Sequence, residues 1–181
     1  MMFRHLFARR FSSSSDKIAK TGIMMMNMGG PATQADVGPF LKNLFSDGDI
    51  IQLGPFQNSL GPYIANKRTP AVKKQYLEIG GGSPIGQWTD LQGKEMCQLL
   101  DTLSPSTAPH KHYIAFRYAE PLTETALQQM KKDKIKRVVA FSQYPHYSCT
   151  TTGSSLNHLW KLLKENNDQN TFQWSLIDRW P

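Results

Sequence analysis

Arg137-Val138-Val139-Ala140-Phe141-Ser142-Gln143-Tyr144-Pro145-His146-Tyr147-Ser148-Cys149-Thr150-Thr151-Thr152-Gly153-Ser154-Ser155 reads as a strand, a loop and a helix start in one run. The β-branched segment Arg137 to Phe141 suits a buried strand, and Leu156, Leu159, Trp160 and Leu163 beyond it share one helical face. In an open α/β sheet such a loop sits at the carboxyl edge of the strands, where ligands bind. Its Ser/Thr/Gly run suits a helix N-terminus, whose free N–H groups and positive dipole end favour an anion. The same hydroxyls equally serve as an ordinary helix cap, the commoner use of such residues.

Outward from this run the pattern alternates. Ile23 to Met28 reads as a buried strand ending at Gly29-Gly30-Pro31. Thr33 is a candidate cap for the next helix, with Asp36 in its first turn, while Gly38-Pro39 delays or kinks it. Thr69-Pro70 reads as a cap followed by proline at the first helical position, opening a helix that stops at Gly80. Trp88, Leu91, Met96, Leu99 and Leu103 mark the apolar stripe of a longer helix, and Cys97 falls off that stripe. A strand from Tyr113 to Tyr118, a helix from Thr123 to Lys132, a strand from Ile135 to Phe141, a helix from Ser154 to Leu163 and a strand from Phe172 to Ile177 follow. Alternating strands and helices imply parallel pairing with right-handed crossovers. The fold class expected is α/β, a Rossmann-like three-layer domain with a parallel sheet.

Familiar cofactor signatures are missing. Gly29-Gly30 and Gly80-Gly81-Gly82 do not form G-x-G-x-x-G, and the triple glycine suits a helix stop and a tight loop. The two cysteines, Cys97 and Cys149, make neither a disulfide framework nor a zinc ribbon. His110 and His112 share one face of a strand and read as solvated without a third ligand; His146 reads as an exposed loop histidine.

Residues 1–15 differ from the rest. They carry Arg4, Arg9 and Arg10, no acid, three phenylalanines and four consecutive serines, the composition of a mitochondrial transit peptide. Arg9-Arg10-Phe11-Ser12 resembles a matrix-protease site that would release the mature chain near Ser12, and residues 16–181 are read as the domain. Removing those three arginines takes the formal charge from +7 to +4, and no Lys/Arg cluster interleaves with aromatics, which argues against a nucleic-acid groove. No apolar run approaches the roughly eighteen residues of a spanning helix. The segment about 50–68 is different again: Ile50, Ile51, Phe56, Leu60, Tyr63 and Ile64 are followed by Lys67 and Arg68. Apolar residues flanked by cations suit an anionic membrane surface, and equally a core-packing loop.

Four blocks carry a wider resemblance. Lys20-Thr21-Gly22-Ile23-Met24-Met25-Met26-Asn27-Met28-Gly29-Gly30-Pro31, Ile79-Gly80-Gly81-Gly82-Ser83-Pro84, Phe116-Arg117-Tyr118 and the loop Gln143 to Ser155 occur in the order found in ferrochelatases. The chain resembles that family from about Lys20 to Pro181, as its amino-terminal half and the first of two chelatase-type domains. The resemblance implies a lyase that inserts ferrous iron into protoporphyrin IX to form haem, on the matrix side of the inner mitochondrial membrane. It also turns segment 50–68 into a lip that rims the porphyrin pocket and docks on that membrane.

Site residues follow from the same resemblance. Met28 would lie under the macrocycle, Arg68, Tyr76 and Ser83 would contact the porphyrin, and Arg117 and Tyr118 would stand at the pocket wall, with Trp180 a further aromatic near the cleft. A guanidinium suits a propionate because its planar fork donates two parallel hydrogen bonds. Cys149 matches the first of four cysteines that hold a 2Fe-2S cluster in animal ferrochelatases; the other three lie near the family's carboxyl terminus. The histidine and glutamate assigned to proton abstraction and metal handling belong to the family's second half. No catalytic residue is therefore assigned here, and the chain is expected to be inactive alone. The alternative is a non-catalytic truncated form or fragment that at most binds porphyrin or a partner. A homodimer is compatible with the resemblance.

Overall fold

The computed structural model describes residues 20–180; the transit-peptide reading of residues 1–15 lies outside them. In chain order the regular elements are β1 (Thr21–Asn27), α1 (Val37–Ser46), α2 (Gln57–Glu78), α3 (Ile85–Leu103), β2 (His110–Phe116), α4 (Thr123–Lys132), β3 (Arg137–Ser142), α5 (Ser154–Glu165) and β4 (Gln173–Ile177). The four strands form one parallel sheet in the order β2-β1-β3-β4. Thr21 of β1 stands beside both His110 of β2 and Arg137 of β3, and Arg137 beside Gln173 of β4. The chain steps outward from β1 to β2 and then crosses to β3, so the order reverses between β1 and β3. In such sheets that reversal opens a crevice beyond the carboxyl ends of the two strands.

Strand periodicity sorts the side chains into two layers. Met24, Met26, Ala115, Val138, Ala140 and Trp174 face α4 and α5, packing on Leu127, Met130, Leu156 and Leu159. Ile23, Met25, Val139 and Phe141 face the opposite side, where α3 supplies Met96, Cys97 and Leu100. A separate apolar cluster joins α1 and α2 to the residues just after β1 and β2. The parallel three-layer α/β reading is confirmed, and it is the shape that near-continuous apolar strands require.

Several details differ from expectation. Thr69 and Pro70 do not open a helix; α2 begins at Gln57 and runs through both Pro62 and Pro70. Thr69 Oγ1 donates to the Ala65 carbonyl at 2.7 Å, a bond within the helix rather than a cap. Nor does Thr33 cap α1: its N–H and hydroxyl both donate to Asp36 Oδ2, Asp36 is the cap position, and Pro39 falls in the first turn where its missing N–H is harmless. The stripe on α3 is turned the other way. Trp88, Leu91, Leu99 and Leu103 are 43–69% exposed, while Thr89, Gly93 and Cys97 are the residues against the sheet. Strand β2 presses the His112 ring so closely on Gly93 that a Cβ there would lie 2.5 Å from it, so small residues mark the contact face. His110 and His112 are likewise not solvated. Their side chains are 4% and 19% exposed beneath α3, paired with Asp101 and Asp90 at 2.7 and 2.8 Å.

Candidate functional site

The sequence-predicted residues converge at the carboxyl edge of β1. Met28 directly follows the strand and packs in the apolar cluster with Tyr118, Tyr76 and lip residues Ile50, Ile51 and Ile64. Arg68 is exposed on α2, with its guanidinium carbon 5.7 Å from the ring centroid of Phe45, a member of the same cluster. Cation–ring attraction of this kind holds a long side chain over an apolar face. Ser83 lies beside Gly30, and its N–H donates to the Pro31 carbonyl at 2.7 Å. Burial raises the Tyr76 phenol above its ordinary value, so it stays protonated and able to donate.

Arg117 and Tyr118 behave differently. Their main-chain N–H groups donate to the carbonyls of Asn27 at 2.9 Å and Met28 at 3.1 Å, extending β2 alongside β1. Their side chains turn to Asp47, which accepts from Arg117 Nη2 at 2.7 Å and from the Tyr118 hydroxyl at 2.6 Å. Tyr118 is 2% exposed, so its phenol braces the cluster from behind. Burial, then the bond to Asp47, pushes that phenol well above the usual tyrosine range. The Arg117 guanidinium opens instead onto a polar cavity of about 390 Å³ with Asp47, Glu124, His158 and Lys161. The apolar cluster thus unites Met28, Tyr76 and Tyr118, and Arg68 lies over its member Phe45. Ser83 lies apart beside Gly30 and Pro31, and the Arg117 side chain is set on a different cavity.

The loop after β3 closes the crevice from the other side. Tyr144 accepts a hydrogen bond from the Met28 N–H at 2.8 Å, its phenol standing where a neighbouring strand carbonyl would otherwise serve. The hydroxyl run that follows is mostly consumed locally. Ser148 caps one turn of π-helix, Cys149–Gly153, and Ser142 Oγ meets Thr152 Oγ1 at 2.8 Å. Of these hydroxyls only Ser148 acts as a cap, and it caps the π-helical turn. Helix α5 has Gly153 at its cap position and no side-chain cap bond, so the expected Ser/Thr cap of that helix is not formed. His146 is exposed as expected. Trp180 returns to this edge, where its indole N–H donates to the Ser142 carbonyl at 3.0 Å and its ring tilts against Phe141 at 6.3 Å.

With this edge described, comparison with known proteins decides the family. The sequence model of the ferrochelatase family matches residues 20–181. The chain belongs to the ferrochelatase family. It is 57% identical over 161 residues to "Ferrochelatase, mitochondrial" of Schizosaccharomyces pombe, covering 89% of this chain and 38% of that protein. The Dictyostelium discoideum ferrochelatase is 58% identical over 161 residues, with 89% and 38% covered. The Homo sapiens ferrochelatase is 56% identical over 162 residues, with 90% and 38% covered. The chain thus spans well under half the length of these relatives.

Sequence reasoning missed Asp47 and the positional role of Tyr144. An aspartate at a helix end looks like any polar terminus, and only the fold reveals that two groups seventy residues away converge on it. The cysteines were legible only in part. Cys97 is 6% exposed and burial pushes its thiol up to about 11, whereas Cys149 is exposed at the start of the π-helical turn. One buried and one exposed thiol do not make up a four-thiolate cluster site, so this chain's own residues do not fit a 2Fe-2S centre.

Proposed function

We propose that this chain is the porphyrin-binding part of a ferrochelatase, the enzyme that inserts ferrous iron into protoporphyrin IX to form haem. The observation carrying this reading is the single apolar cluster that unites Met28, Tyr76 and Tyr118 with Ile50, Ile51 and Ile64 at the edge of β1. A flat macrocycle needs an apolar wall and a few donors for its two propionates. Met28 and the cluster supply the wall, Arg68 supplies a charged donor, and Tyr76 and Ser83 add neutral ones. A macrocycle seated on the cluster would displace water from it and strengthen the bonds made at its rim.

Membrane placement follows from the same element. Phe56, Leu60 and Tyr63 are 68%, 39% and 57% exposed at the start of α2, and Lys67 lies 5.8 Å from the Tyr63 ring centroid. Apolar side chains beside cations favour an anionic bilayer surface, consistent with attachment to the inner mitochondrial membrane from the matrix. No described helix is long and apolar enough to cross a membrane.

The test is fluorescence titration of the chain with protoporphyrin IX. Binding is expected, and Arg68→Ala should weaken it by about 1.5–3 kcal/mol, the worth of a charged hydrogen bond. An unchanged affinity removes Arg68 from the site.

A further inference from the structure

We infer that Asp47 is a positioning residue that couples the root of the lip to the floor of the porphyrin site; the inference rests on the porphyrin reading above. Asp47 is the residue after α1, and its side chain is 9% exposed. Its two sides serve different parts of the fold. Toward the lip, Oδ1 accepts the Asp49 N–H at 2.9 Å, and its main-chain carbonyl accepts the N–H groups of Ile50 at 3.2 Å and Ile51 at 3.0 Å. Those bonds form the turn that delivers Ile50 and Ile51 into the apolar cluster. Toward the sheet, Oδ2 accepts from Arg117 Nη2, from the Tyr118 hydroxyl and, at 3.5 Å, from Ser154 Oγ at the start of α5. Arg117 and Tyr118 in turn hold the carbonyls of Asn27 and Met28.

One carboxylate therefore meets the turn into the lip, the residues after β2 and the start of α5, and reaches the carboxyl end of β1 only through the main chain of Arg117 and Tyr118. Its charge is the common requirement. An aspartate oxygen accepts from several donors at once, whereas an amide has one accepting end. In Asp47→Asn, either the Asp49 N–H or the Arg117–Tyr118 pair faces an NH₂ group, donor against donor. Whichever way the amide turns, one arm of the junction comes loose while the side-chain volume stays the same. The lip and the floor then lose their fixed relation, and the ligand must restore it on binding, which lowers affinity without removing any porphyrin contact.

Two readouts on the purified chain test this. In hydrogen exchange, Asp47→Asn should quicken the amides of residues 47–53 and of residues 116–119 together, and leave β3 and α5 beyond its first turn protected. In mesoporphyrin titration, Asp47→Asn should weaken binding on the order of tenfold, while Asp49→Asn, which removes a charge two residues beyond the hub and keeps the main-chain N–H bond to Asp47, should match the unaltered chain. If Asp47→Asn does not fold, Tyr118→Phe, which removes one donor and no charge, should show the same paired quickening at smaller size. Exchange that quickens in only one of the two segments, 47–53 or 116–119, or an unchanged affinity in a chain that binds porphyrin, overturns the coupling. A chain that binds no porphyrin while both segments quicken together sinks the porphyrin reading and leaves the junction established.

Discussion

At the scale of single residues, burial sorts groups that the sequence leaves equivalent. The two cysteines are the clearest case. Cys97 packs with Ile23 and Met25 under α3, and its thiol is pushed up to about 11 by burial first and by the nearby Asp101 charge second. A pKa raised above its unfolded value stabilises the fold at lower pH and loses that contribution as pH climbs through the folded value. At pH 8 the Cys97 thiolate is scarce as well as covered, and thiolate is the reactive form. Cys149 is exposed. A disulfide reagent at pH 8 should therefore titrate one thiol quickly, lost in Cys149→Ser, with the second reacting only on addition of denaturant. Two fast thiols in the native chain would mean that α3 opens readily. The tyrosines sort in the same way: Tyr118 and Tyr144 both carry phenols raised by burial, and each holds a backbone or carboxylate partner at the site's edge.

At the scale of elements, α2 was the least legible part of the fold and the lip depends on it. Thr69-Pro70 has the chemistry of a helix start, and proline in a helix interior costs about 3 kcal/mol. Packing against α1 outweighs that cost: Ala65 is 1% exposed at the contact and Gly61 is buried. The helices approach so closely at Gly61 that a Cβ would sit 2.6 Å from the Phe45 carbonyl oxygen, a backbone atom with little room to give. Gly61→Ala should destabilise the chain by roughly 1–3 kcal/mol in urea unfolding, with exposure of Phe56 to Tyr63 rising as α2 lifts. A midpoint matching the unaltered chain would show that the two helices slide apart freely. The strands and α4 were legible because β-branched runs and polar ends announce them, and α4 spans the expected Thr123–Lys132. The orientation of α3 was not, since large apolar residues at helical spacing read as a buried face, and the tight seat on His112 demands small ones instead. Of the candidate site, Met28 and Ser83 stand within the motif blocks, whereas the convergence of Arg117 and Tyr118 on Asp47 is long-range and has no local signal.

At the scale of the whole molecule, the sheet is covered unequally. Helices α4 and α5 close one face, but on the other α3 leaves Val139, Phe141, Ser175 and Ile177 lining an open apolar groove of about 300 Å³ with Met96 and Leu100. Metallation requires more than the porphyrin wall proposed for this chain. A base must lie within hydrogen-bonding reach of the pyrrole protons, about 2.6–3.2 Å or one water away. Among the described residues, His110, His112 and His158 are each committed to a carboxylate, at 2.7, 2.8 and 3.1 Å. His146 sits exposed on the β3 loop. The purified chain, given ferrous iron and protoporphyrin IX in detergent, should therefore bind the porphyrin and form haem no faster than the protein-free blank. A full-length ferrochelatase run beside it should turn over, and adding the carboxyl-terminal remainder of such a relative to this chain should restore part of that rate if the two dock. Haem formation by the 181-residue chain alone, above the blank, would place the base within it. His146→Ala would then be the first variant to assay, because the other three described imidazoles each lie within hydrogen-bonding reach of a carboxylate.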